Sequence, residues 1–112
     1  MKSTRYKALA AAFSLALSST AFAQEDKAAQ APATIMMAQT CGGCHGTQGA
    51  VQGTAFMPLA GMPEGQFIRA MKAFADGTRP STLMSPLARS FSAEEIQAMA
   101  AYFAQFPKVQ AQ

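Results

Sequence analysis

The stretch Cys41-Gly42-Gly43-Cys44-His45 carries the residue types and spacing that can do chemistry. Cysteines three apart fall on one face of a helical turn, so both thiols can reach the two vinyl groups of a single porphyrin. His45 follows directly and can offer an imidazole nitrogen to the iron. Cys-x-x-Cys-His is therefore the pattern of covalent c-type haem attachment, with one haem c held by Cys41 and Cys44. The two glycines remove side-chain bulk where the macrocycle edge must approach the backbone.

Other chemistries use the same residue types. A thioredoxin-like Cys-x-x-Cys needs a βαβ context, and no β-branched strand run precedes this one. A structural zinc site needs four ligands, whereas the chain has two cysteines and one histidine. A plain disulfide between residues three apart would close a very small loop and stabilise little.

A second axial ligand must come from elsewhere. Thr78 to Arg89 (TRPSTLMSPLAR) reads as a proline-punctuated loop with one thioether, Met84, held between Pro80 and Pro86. An irregular segment far along the chain can approach the iron from the face opposite His45, and loops commonly carry function on small scaffolds. Met84 is therefore the expected distal ligand; the alternative is that it only lines the haem crevice. Met36 and Met37 lie on the helix that delivers His45 and are badly placed for the opposite face. Met71 lies on an apolar helical stripe and reads as core.

The elements that position these residues follow in order. A helix begins near Pro32, a residue tolerated at a first helical position, and Ile35, Met36, Met37 and Ala38 carry it toward Cys41 as packing residues. Gly46 to Ala55 is a glycine-broken loop. In Phe56 to Gly61, the rigid Pro58 can present a backbone carbonyl to Nδ1–H of His45; the alternative is an ordinary turn before a helix. Pro63 to Ala75 is an amphipathic helix with Phe67, Ile68, Met71, Phe74 and Ala75 on one stripe, ended by Asp76-Gly77. Ser92-Ala93-Glu94-Glu95 is a capping box. The helix it opens places Ile96, Met99, Ala100 and Phe103 on one face, widened by Tyr102 and Phe106, and Pro107 stops it.

The N-terminus reads as an export signal over residues 1–23. Lys2, Arg5 and Lys7 form a basic region, Ala8 to Leu17 an apolar one, and Ala21-Phe22-Ala23 a cleavage site, too short an apolar run for a bilayer span. Residues 24–33 read as a flexible leader, 34–107 as one domain and 108–112 as a polar tail. Removing 23 of the 112 residues leaves 89, enough for one domain. Three of the nine basic residues leave with the signal, so six remain against six acidic ones. This near-neutral balance argues against nucleic-acid binding, which needs a clustered basic face. Cleavage after Ala23 would leave no transmembrane anchor and a periplasmic protein. So small a domain has a thin core and needs a staple, which a covalent haem can supply; the apoprotein is expected to be largely unfolded.

With CGGCH, PLAG, the STLM loop and the SAEEI helix together, the chain resembles the class I c-type cytochromes. Within them it is similar to the haem subunit of flavocytochrome c sulfide dehydrogenase and related small bacterial cytochromes c. The resemblance covers roughly Thr34 to Phe106. It implies an all-α fold wrapped around one haem, thioether links at Cys41 and Cys44, and His45 and Met84 as axial ligands. It also implies that the first and last helices cross, with Ile35 and Ala38 near Ala100 and Phe103. The chain departs from the subgroup in two places. Pro58 stands one step later than the frequent proline before the Leu-Ala pair, and no Gly-Arg pair follows Met84.

The expected function is one-electron transfer without catalysis, as the haem subunit or acceptor of an FAD-containing sulfide-oxidising flavoprotein. A free carrier to a terminal oxidase or other partner is the alternative. A five-coordinate sensor or peroxidase-like enzyme is a further one, against which no spare His or Arg pair marks a distal catalytic pocket.

Overall fold

The computed structural model describes residues 27–53 and 55–109. The expected signal segment 1–23, the start of the expected leader and residues 110–112 lie outside them. Four α-helices carry the described fold: α1 (Pro32–His45), α2 (Glu64–Ala75), α3 (Met84–Arg89) and α4 (Ala93–Ala104). A 3-10 turn, Thr47–Gly49, follows α1 directly, and the described residues contain no strand.

Pro32 opens α1, where its missing N–H costs nothing. Apolar residues are spread around α1, and burial follows the register of the cysteine motif instead. Thr34 and Ala38 are buried and Cys41 half-buried, at i, i+4 and i+7 on one face. Ile35 and Met36, expected as packing residues, are exposed, Met36 by 72%. The Thr34 hydroxyl donates to the Ala28 carbonyl at 2.7 Å. Within the stretch expected as a leader, residues 27–29 are helical and Ala29 is buried.

Helix α4 is the centre of the packing. Ser92 and Glu95 exchange the two hydrogen bonds of a capping box, Ser92 N–H donating to the Glu95 carboxylate at 2.7 Å and Glu95 N–H to Ser92 Oγ at 3.2 Å. The face beginning at Ile96 then buries Met99, Ala100 and Phe103 to within 1% of complete. The two large side chains among them, Met99 and Phe103, each contribute about 1.5–3 kcal/mol. The small Ala100 lets α1 lie close, and Ala38 joins Ala100 and Phe103 in one core cluster. The first and last helices therefore pack together, but through Ala38 rather than Ile35. On its other side α4 receives Phe67 and Met71 of α2, with Phe67 and Phe103 rings 5.6 Å apart.

The segment Thr78 to Arg89 is only half irregular. Residues 84–89 form α3, which packs on α2 and begins at Met84 itself. Pro86 does not break it, because the third residue of a helix belongs to the first turn and needs no intrahelical donor. The Ser81 hydroxyl accepts from Met84 N–H at 3.0 Å and closes the start of the helix.

Gly49 joins these parts. Its φ of +76° is strained for any side chain, and a Cβ there would lie 2.7 Å from Leu59 Cβ and 3.0 Å from Phe103 Cδ1. Its carbonyl accepts from both Leu59 N–H (2.8 Å) and Ala60 N–H (3.1 Å). Gly77 has a similar φ of +81° but open space around it. Urea unfolding of the purified protein is expected to show Gly49→Ala costing about 2 kcal/mol or more, and Gly77→Ala about 1 kcal/mol. Equal losses would contradict the close packing assigned to Gly49.

Candidate functional site

Helix α1 delivers Cys41, Cys44 and His45 at its C-terminal end, and Gly46 at φ +79° turns the chain away. A Cβ on Gly46 would lie 2.7 Å from Val51 N, whose N–H donates to the His45 carbonyl at 2.8 Å. Cys41 is half-buried and Cys44 exposed, and no disulfide joins them. Burial pushes the Cys41 thiol above its ordinary value, against a smaller lowering by the Thr40 hydroxyl.

His45 Nδ1 lies 2.6 Å from the carbonyl oxygen of Met57. A carbonyl can only accept, so the ring nitrogen donates, which assigns a proton to Nδ1 and, in the neutral ring, leaves the lone pair on Nε2. Metal-bound histidines characteristically hold their second nitrogen this way. Phe56 packs against the same imidazole edge-to-face, with centroids 6.1 Å apart and planes at 66°. The carbonyl belongs to the residue before Pro58. Proline forces its predecessor into extended backbone, so the Met57-Pro58 bond is the sequence signal that could have identified this acceptor.

His45 and both cysteines face a cavity of about 300 Å³. Residues 55–62, helix α2 and the segment from Arg79 to Phe91 complete its lining, Met84 among them. Helix α4 contributes nothing to that lining and backs the core instead. The structure thus brings all four sequence-predicted residues, Cys41, Cys44, His45 and Met84, to one cavity. They arrive on separate supports, since α1 packs on α4 and the 3-10 turn while α3 packs on α2. Met71 is in the core cluster, as expected, yet it also reaches the cavity wall, as does the buried Met62.

The lining fits a flat, largely apolar group bearing a transition metal. Phe56, Met57, Leu83 and Leu87 line the cavity and are 42–63% exposed, an apolar rim that the described chain leaves uncovered. Two thiols, an imidazole and a thioether are donors that fit haem c. Cys41 and Cys44 would hold the group covalently, and His45 and Met84 would ligate its iron.

Among the described residues one cation lines the cavity, Arg79, which the sequence pattern does not single out. Its guanidinium lies 4.6 Å from the centroid of Phe74, a contact worth about 0.5–1 kcal/mol at an exposed site. Asp76 shapes the turn that leads to it. The carboxylate accepts from Thr78 Oγ1 (2.7 Å) and Thr78 N–H (3.0 Å) and pairs with Lys72 at 3.2 Å.

No family model matches the chain. It is 42% identical over 67 residues to the thiosulfate dehydrogenase electron acceptor of Stutzerimonas stutzeri, covering 57% of the chain and 31% of that protein. It is 36% identical over 67 residues to cytochrome c-554(548) of Halomonas halodenitrificans, covering 57% of the chain and 81% of that protein. It is 33% identical over 74 residues to the cytochrome subunit of sulfide dehydrogenase of Chlorobaculum tepidum, covering 65% and 66%. The chain thus spans about a third of the length of the thiosulfate dehydrogenase electron acceptors it matches.

The Thr78 hydrogen bonds, with Lys72 adding to them, hold the Asp76 carboxyl down at about 2. A carboxylate lowered on folding stabilises the folded state fully above the ordinary carboxylate range, and that contribution fades as pH falls toward 2. Acid unfolding is expected to be less steep between pH ~4 and ~2 for Asp76→Asn than for the wild type. Identical acid limbs would contradict this assignment.

Proposed function

The chain belongs to the small class I c-type cytochromes, and on that premise we propose that it is an exported single-electron carrier with a His45/Met84-ligated haem c. The observation that carries the reading is the hydrogen bond from His45 Nδ1 to the Met57 carbonyl, which leaves Nε2 as the ligand atom beside two thiols in an apolar cavity. The haem supplies a one-electron redox couple when bound. The protein's residues supply position, axial donors and a low-dielectric setting.

Cys41 and Cys44 fix one edge of the cofactor to α1, and the backbone of residues 57–61 holds the imidazole in one orientation. The α3 cap at Ser81 fixes the backbone of Met84 and so limits where its sulfur can go. His45 and Met84 would both be engaged by the cofactor, which would then supply electron transfer and not catalysis. A thioether favours the ferrous state relative to a second imidazole and raises the potential. Leu59, Phe67 and Met71 belong to the buried core cluster and back the cavity with apolar packing.

The relatives supply the context for a partner. One is named as an electron acceptor for thiosulfate dehydrogenase and another as the cytochrome subunit of sulfide dehydrogenase. The proposed donor is accordingly a dehydrogenase of reduced sulfur compounds, an FAD-containing sulfide dehydrogenase in its most specific form. Residues 1–23 are the proposed export signal, cleaved after Ala23, and 34–107 the haem domain in the periplasm.

The oxidised wild-type protein is expected to show the near-infrared thioether–iron band and to resist CO in its reduced form. Met84→Ala is expected to lose that band, bind CO rapidly and titrate at a lower midpoint potential. If the variant keeps both the band and the midpoint, Met84 is not the ligand, and Met71 and Met62 become the residues to exchange next. For the partner, affinity purification from the periplasm is expected to co-elute a dehydrogenase that reduces the haem protein. Elution alone, with no reduction by a sulfide-oxidising flavoprotein, would contradict that assignment.

A further inference from the structure

We propose that Gly61 and Lys108 form a positioning contact for the His45 imidazole, in which the chain after α4 backs residues 57–62 and so fixes how the Met57 carbonyl meets the ring. The inference rests on the haem reading of the cavity, with His45 as a ligand. Residues 57–62 form a wall between two spaces. Met57, Leu59 and Met62 line the haem cavity. Met57, Pro58, Gly61 and Met62 also line a groove of about 240 Å³ on the far side, edged by Lys108 and Val109. The groove lies behind Met57 and Pro58, so the carbonyl that accepts from His45 Nδ1 is held through its neighbours along the chain.

The middle of the wall is held at Gly49, whose carbonyl accepts from Leu59 and Ala60 N–H. Its far end is held at Gly61. The Gly61 N–H donates to the Phe103 carbonyl at 2.9 Å, and the same oxygen accepts from Phe106 N–H at 3.4 Å. One carbonyl near the end of α4 thus binds both the wall and the chain that follows the helix. The Phe106 ring packs edge-to-face on Tyr102, with centroids 5.0 Å apart, and this sets the direction in which Pro107 and Lys108 leave α4. Lys108 then lies directly on Gly61. A Cβ on Gly61 would stand 2.6 Å from Lys108 Cγ, 2.7 Å from its backbone nitrogen and 2.9 Å from its Cα. The first is a flexible stem that can move aside, whereas the other two are main chain. Gly61, at φ +68°, therefore lets two stretches of backbone touch where a Cβ would not fit. Lys108, which the sequence places at the start of a polar tail, packs through its main chain.

A hydrogen bond from Nδ1–H makes the imidazole a stronger donor through Nε2, which favours the more positive ferric iron. Loosening the wall weakens that bond and moves the balance toward ferrous haem. The test compares purified wild-type holoprotein with Gly61→Ala, a deletion of residues 108–112, the two combined, and Gly77→Ala. Each is read by covalent-haem absorbance, by NMR exchange of the His45 Nδ1 proton and by redox titration. Gly61→Ala is expected to speed that exchange about tenfold through local opening. Its ferric-to-ferrous ratio at a fixed solution potential should fall about threefold, the scale of part of one hydrogen bond. The deletion should speed exchange as well. Gly61→Ala should add nothing further in the deleted chain, because the atoms its Cβ meets are gone. Gly77→Ala places similar backbone strain in open space and should leave exchange and ratio unmoved.

Should Gly61→Ala fail to mature, the deletion decides by proton exchange. Unmoved exchange with an intact chromophore overturns the proposal alone. So does a full additional effect of Gly61→Ala in the deleted chain, or an equal effect of Gly77→Ala. A wild-type chain without covalent chromophore overturns it together with the haem reading beneath it.

Discussion

The hydrogen bond from His45 Nδ1 to the Met57 carbonyl is the constraint on which the site depends. It chooses the tautomer of the neutral ring, fixes the ring plane and leaves the lone pair on Nε2. The bond exists because two stretches twelve residues apart are clamped together by backbone. Val51 N–H bonds the His45 carbonyl, and Leu59 and Ala60 N–H groups both bond the Gly49 carbonyl. Gly61 N–H then bonds the Phe103 carbonyl and ties the clamp to α4. The orientation of one imidazole is thus set by the packing of the last helix, through Gly49 wedged between Leu59 and Phe103.

That arrangement divides the fold into two halves with different needs. On one side α4 buries Met99, Ala100 and Phe103 against α1 and α2 and makes a conventional, if small, core. On the other, α2 and α3 and the segment around Phe56 present apolar side chains to a cavity that the described chain does not fill. A domain this size buries proportionally little surface, and a covalently held planar group answers the deficit on that side. The same residues, Phe67 and Met71 among them, face both core and cavity. Seating the cofactor and consolidating the fold are therefore coupled through shared side chains.

Much of this was legible in the sequence because it was encoded locally. The thiol spacing, the Ser92/Glu95 cap and the stripes of α2 and α4 each announce themselves within a few residues. Helix α1 was read in the right place, but its buried face was not, since its apolar residues do not cluster on one side. The motif's register, carried by Thr34, Ala38 and Cys41, overrides the hydrophobicity of Ile35 and Met36. The helix starting at Met84 was hidden by Pro86, which reads as a breaker unless the cap at Ser81 is known. Arg79 stayed unnoticed because its meaning comes from the cavity around it, which no local pattern describes. The general position of the carbonyl facing His45 was expected from the proline; its assignment to Met57 needed the backbone path.

The account stands most directly on the protonation of one ring. In the reduced, nitrogen-15-labelled holoprotein, imidazole NMR should find a slowly exchanging proton on His45 Nδ1, with scalar coupling across the hydrogen bond to the Met57 carbonyl carbon. Nε2 should carry no proton and should shift as a metal-bound nitrogen. A proton on Nε2, or an Nδ1 proton exchanging freely with solvent, would contradict it.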